Sequence, residues 1–71
     1  MYKTVNHLAE MMDICKPEVR RKINRMKRSG AYPQTAFLTN PIRCDLKAVQ
    51  HFETYQQLIL TGGEYPAWRE S

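Results

Sequence analysis

Residues 4–33, TVNHLAEMMDICKPEVRRKINRMKRSGAYP, decide the fold. Val5, Leu8, Ala9 and Met12 recur at i, i+3, i+4 and i+7, which puts them on one face of a short helix with Thr4 as its N-cap. Asp13, Ile14, Cys15 and Lys16 then form a four-residue break, in which Ile14 is the apolar residue able to point inward. Pro17 suits the first position of a second helix, where its fixed φ helps and its missing N–H costs nothing, and Glu18 adds a favourable charge beside that N-terminus. From Pro17 to about Arg28 the buried stripe is Val19, Ile23 and Met26, whereas Arg20, Arg21, Asn24, Arg25 and Arg28 lie away from its centre. Ser29-Gly30 ends the helix, and Tyr32-Pro33 prevents immediate resumption.

Outward from this stretch the pattern changes period. Phe37-Leu38 and the run Ile42 to Asp45, separated by the turn signal Asn40-Pro41, predict a small β-hairpin over 36–45. Asp45 is a good N-cap for a third helix of about four turns, with Ala48, Val49, Phe52, Tyr55 and Ile59 as its inward stripe and Gly62-Gly63 as its stop. The expected fold is therefore mostly α, three helices with one hairpin. Residues 1–61 form the domain and 62–71 a tail in which nothing forces regular structure. Seventy-one residues support one core, because a chain this short buries only roughly 60% of its unfolded surface. A hydrophobic fraction of 42% with 25% charged residues is that of an ordinary globule, not of a disordered tail.

Charge distribution narrows the function. Segment 16–28 holds Lys16, Arg20, Arg21, Lys22, Arg25, Lys27 and Arg28 against the single Glu18, a net +6, while the whole chain carries +4, so the remainder is −2. A polarised chain of this kind offers one face to a polyanion and another to something else. A basic helix face alone is often only solvated. Seven cations in thirteen positions, beside a two-helix turn, point to a helix-turn-helix in which the second helix enters the major groove. Base edges are then within reach of Lys16, Glu18, Arg21, Lys22 and Arg25, and Arg21 or Arg25, spaced i, i+4, can make the bidentate contact to guanine. The full candidate DNA-binding set is Lys16, Pro17, Glu18, Arg20, Arg21, Lys22, Asn24, Arg25, Lys27 and Arg28 on the helix, with Asn40 and Arg43 on the hairpin.

The same 30 residues resemble the opening of the MerR-like winged-helix domains of phage excisionases, Cox-type regulators and AlpA-like proteins. The matching positions are Thr4, Leu8, Ala9, Ile14, Cys15, Val19, Arg20, Gly30, Tyr32 and Pro33, and the hairpin with the segment DLKAVQHF, residues 45–52, is similar to that family's wing and third helix. The likeness runs from Tyr2 to Tyr55. It departs at Asp13, where a glycine often makes the turn, and at Cys15, where serine or threonine usually caps. The resemblance implies a winged helix-turn-helix that bends phage DNA during excision, represses a promoter, or does both. It implies duplex DNA as partner, further copies bound head-to-tail, and an integrase. An ordinary repressor or activator of a mobile element stays open, as does a basic adaptor docking on an acidic protein. RNA binding lacks an aromatic-decorated sheet or a GXXG loop.

Other chemistry finds little material. Cys15 and Cys44 lie in no C-x-x-C pairing and are expected to be reduced, and with His7 and His51 they match no zinc-finger spacing, so no metal is expected. His7 and His51 read as surface or partly buried helix residues, and Met11, Met12 and Met26 as core filling. No nucleophile with a base and an orienter can be assembled, so neither catalysis nor a cofactor or small-molecule ligand is expected. The longest apolar run, Leu58 to Leu60, falls far short of the roughly 18 residues that span a bilayer, and Met1 opens no signal-peptide pattern; a cytoplasmic location is expected. Leu58 and Leu60 beside Tyr65 and Trp68 suggest an apolar patch for a second copy, unless the tail folds back and Trp68 covers Leu58 within one monomer.

Overall fold

The computed structural model describes residues 1–69. In chain order it contains β1 (Tyr2–Thr4), α1 (Val5–Met12), α2 (Lys16–Ser29), a 3-10 turn (Gln34–Ala36), β2 (Phe37–Leu38), β3 (Arg43–Asp45) and α3 (Leu46–Thr61). Thr4 caps α1 as expected: its backbone is extended and its Oγ1 accepts from the His7 amide at 3.2 Å. Asp13 ends the helix in the left-handed conformation, φ 55°, with its N–H on the Ala9 and Glu10 carbonyls. A short polar side chain tolerates that conformation better than most, which is how the chain turns here without glycine.

The break is three residues, not four, because Lys16 already belongs to α2. Cys15 is the cap residue: its carbonyl accepts from the amides of Glu18 (3.0 Å) and Val19 (3.2 Å), and its side chain caps nothing. Pro17 thus occupies the second helical position, where the amide still has no intrahelical acceptor. Gly30, at φ 72°, closes α2, and Ser29 Oγ both donates to the Met26 carbonyl and accepts from the Ala31 amide.

The hairpin forms, with Asn40 at φ 60° in its loop and a cis peptide between Asn40 and Pro41. It is part of a larger sheet than the sequence suggested. β3 is the centre of a three-stranded antiparallel sheet ordered β1-β3-β2, pairing Tyr2 with Asp45 and Thr4 with Arg43 on one side, Phe37 with Cys44 and Leu38 with Arg43 on the other. Three residues carry too little alternation to announce β1.

Asp45 caps α3 by accepting from Lys47 N at 2.8 Å and Ala48 N at 3.3 Å, and Gly62 ends it at φ 76°. The core joins Val5 and Leu8 of α1, Val19, Ile23 and Met26 of α2, Tyr32, Ala36, Cys44, and Ala48, Val49 and Phe52 of α3. Ala9, Met12, Ile14 and Ile59 pack around it, but Met11, expected as core filling, is half exposed. Among the described residues no helix is long and apolar enough to cross a membrane.

The tail has no regular structure up to Arg69. It folds back, and Leu58 stays exposed. Trp68 packs edge-on against Tyr32, ring centroids 5.8 Å apart, so the expected apolar patch keeps only Leu58 and Leu60 exposed. His51 holds the tail: its Nε2 lies 2.6 Å from the Pro66 carbonyl, which can only accept, so Nε2–H donates there and Nδ1 takes the Tyr32 hydroxyl proton at 2.8 Å.

Candidate nucleic-acid interface

The 14 residues of α2 span about 21 Å, enough to lie along a major groove. Burying Val19, Ile23 and Met26 fixes the helix's rotation and sorts the remaining positions by exposure. Arg20, Arg21, Asn24, Arg25 and Arg28 are exposed on the outer face, and Lys16 and Pro17 are exposed at its start. Glu18 is half-buried and forms an ion pair with Arg21, one helical turn on. Among the described residues, Lys16, Arg20, Arg25 and Arg28 have no carboxylate partner.

Lys22 stands apart from the outer face. Its ammonium lies 2.8 Å from Glu53 Oε1 on α3, and only 18% of its side chain is exposed. A signal for this exists in the sequence: Lys22 is i+3 from Val19 and i−4 from Met26, on the shoulder of the buried stripe. Glu53 as its partner is not visible from spacing, because α3 is separate in sequence. Lys27 flanks the opposite shoulder, with Nζ 5.5 Å above the Phe37 ring of β2, a cation–π contact between helix and hairpin.

On the hairpin Asn40 is exposed in the loop, while Arg43 is half-buried on β3 with Nε donating to the Pro41 carbonyl at 3.4 Å. Between the hairpin and the C-terminal half of α2 lies an open cleft of about 370 Å³, lined by Lys27, Tyr32, Gln34, Phe37 and Thr39. Of the predicted site residues the structure brings Lys27 to this cleft; Lys16, Arg20, Arg21, Arg25 and Arg28 on α2 and Asn40 and Arg43 on the hairpin are not among the residues that line it. Sequence spacing gave no sign of Gln34, Phe37 and Thr39.

Burial sets the chemistry of the two perturbed groups. The Cys44 thiol, enclosed in the core, is pushed up to about 12, with the Asp45 carboxylate adding to the effect. Burial raises the Tyr32 phenol well above its ordinary value, with Tyr65 and Cys44 contributing. Both groups stay protonated near neutral pH, so Cys44 is an inert packing residue. Cys15 is exposed, and both cysteines are free. Among the described residues no group of three or more His, Cys, Asp or Glu side chains is placed to hold a metal ion. No protein-family model matches the chain, and neither a curated protein nor a solved structure is significantly similar to it.

Proposed function

We propose that the chain is a winged helix-turn-helix protein that binds specific duplex DNA as a phage-type excisionase or transcriptional regulator, with α2 as recognition helix and the β2–β3 hairpin as wing. One observation carries this: Arg20, Arg21, Arg25 and Arg28 share the exposed face of a helix braced by α1 across a three-residue turn and flanked by a hairpin. Guanidinium groups on such a face can neutralise phosphates or read guanine in bidentate fashion. Among the described residues Arg25 has no carboxylate to leave before it contacts DNA. Arg21 is already aligned by Glu18, whose carboxylate can in turn accept from a cytosine amine.

The test begins with binding to duplex over a salt series and a footprint on the DNA beside its own gene. Several adjacent sites with bending at an attachment region mark an excision factor, and a single promoter operator marks a repressor or activator. Arg25→Ala and Arg21→Ala should each weaken specific binding by about 1–3 kcal/mol and relax base preference at one position, with folding intact. Uniform weakening on every sequence would make them phosphate contacts. If neither change affects binding, α2 is not the recognition helix; if the native chain binds no duplex even at low salt, the basic face belongs to an acidic protein partner.

A further inference from the structure

We propose that the cleft between α2 and the hairpin seats one deoxyribose-phosphate unit of the DNA backbone, the phosphate against Lys27, Gln34 and Thr39 and the sugar on the Phe37 ring. The proposal rests on the DNA-binding function proposed above and assigns to it a site outside the outer face of α2.

The lining has the composition such a unit requires. Lys27 supplies an ammonium, Gln34 an amide N–H and Thr39 a hydroxyl, all on exposed residues, and among the described residues no carboxylate lines the cleft to repel an anion. The apolar part of the wall is aromatic, from Phe37 and Tyr32. A deoxyribose ring presents C–H groups that pack on an aromatic face, while its phosphate, joined to the sugar through an ester oxygen, needs donors several ångströms from that face. Lys27 meets the second condition, because its Nζ stands 5.5 Å over the Phe37 ring and has no carboxylate partner among the described residues. A volume of about 370 Å³ lies at the small end of the range for small-ligand sites, roughly 300–1,000 Å³.

The wall is also braced. The Tyr32 hydroxyl is bound to His51, and the Tyr32 ring packs edge-on against Phe52, centroids 6.4 Å apart, and against Trp68. Ordering this wall therefore adds little further cost when DNA binds. Position completes the case. A helix in the major groove with a hairpin beside it leaves a backbone strand passing between them, and the cleft opens there, with Arg28 on α2 following Lys27 directly.

Binding to a short random-sequence duplex, followed by anisotropy over a salt series, tests the site. Lys27→Met should lower the slope of log affinity against log salt by about 0.9, the value for one lost phosphate contact. Lys27→Gln should do the same, which separates loss of charge from disturbed packing on Phe37. The pair Gln34→Ala with Thr39→Val should weaken binding about fivefold with the slope and base preference unchanged. In NMR the Phe37 ring resonances should shift on adding duplex and stay fixed on adding thymidine monophosphate at millimolar concentration. If these variants bind as the native chain does while Arg25→Ala is impaired, the cleft is empty on DNA and only this proposal falls. A saturable Phe37 shift with the mononucleotide, but none with duplex, would make it a free-nucleotide site. If the native chain shows no salt-dependent duplex binding, both the function and this site are overturned.

Discussion

Lys22 and Arg25 are three positions apart on one helix and have different surroundings. Lys22 is two-sided: its stem lies on the shoulder of the core and its ammonium meets Glu53. Lys22→Met should therefore leave duplex affinity and its salt slope unchanged and lower stability by less than about 1 kcal/mol in urea melts, since Glu53 keeps more than a third of its side chain in water. A slope reduced by about 0.9 would return Lys22 to a phosphate. Cys44 gives a second expectation at this scale. Its thiol ionises near 9 in an unfolded chain but near 12 in the core, so between those values the unfolded state has shed a proton the folded state keeps. Stability is thus fully present below pH 9 and falls as pH rises above it, and the buried Tyr32 phenol acts in the same direction. Urea midpoints measured from pH 8 to about 11 should fall, and Cys44→Ala should flatten part of the fall. A flat profile would contradict the burial of both groups.

At the scale of elements, Asp45 does two jobs: it ends β3 and caps α3 through two amides. Asp45→Ala should cost about 1 kcal/mol in urea melts, with Asp45→Asn recovering most of it, because an amide oxygen caps nearly as well. No recovery would mean that the charge matters more than the cap. The caps were also where the sequence was most legible. Thr4, Gly30, Asp45 and Gly62 each mark a helix end by chemistry that acts within a few residues, and the apolar stripes of α1, α2 and α3 follow from period alone. What escaped depends on distant partners. β1 has three residues and exists because β3 offers it an edge, Lys22 faces inward because α3 carries Glu53, and Trp68 is committed because Tyr32 is there. The outer face of α2 could be read from its own residues, whereas the cleft is made by several elements and could not.

On the scale of the whole molecule, the two ends of the chain are tied to the same body, β1 along β3 and the tail through His51 and Trp68. These ties differ from the α1–α2 pair in one respect, which is how far apart along the chain their members lie. The two helices meet across three residues, whereas β1 must find β3, the second strand of the hairpin, on the far side of α1 and α2. Closing the longer loop costs more chain entropy before any contact repays it. The helix pair should therefore assemble early and the sheet edge late. In stopped-flow chevrons Val19→Ala should mainly slow refolding, and Tyr2→Ala, which also removes the hydroxyl bonded to the Thr35 carbonyl, should mainly speed unfolding. The reverse pattern would place the sheet in the folding nucleus. During synthesis the helix that carries the basic face would then take shape while the strand destined to border the sheet still waits, unpaired, for residues the ribosome has yet to add.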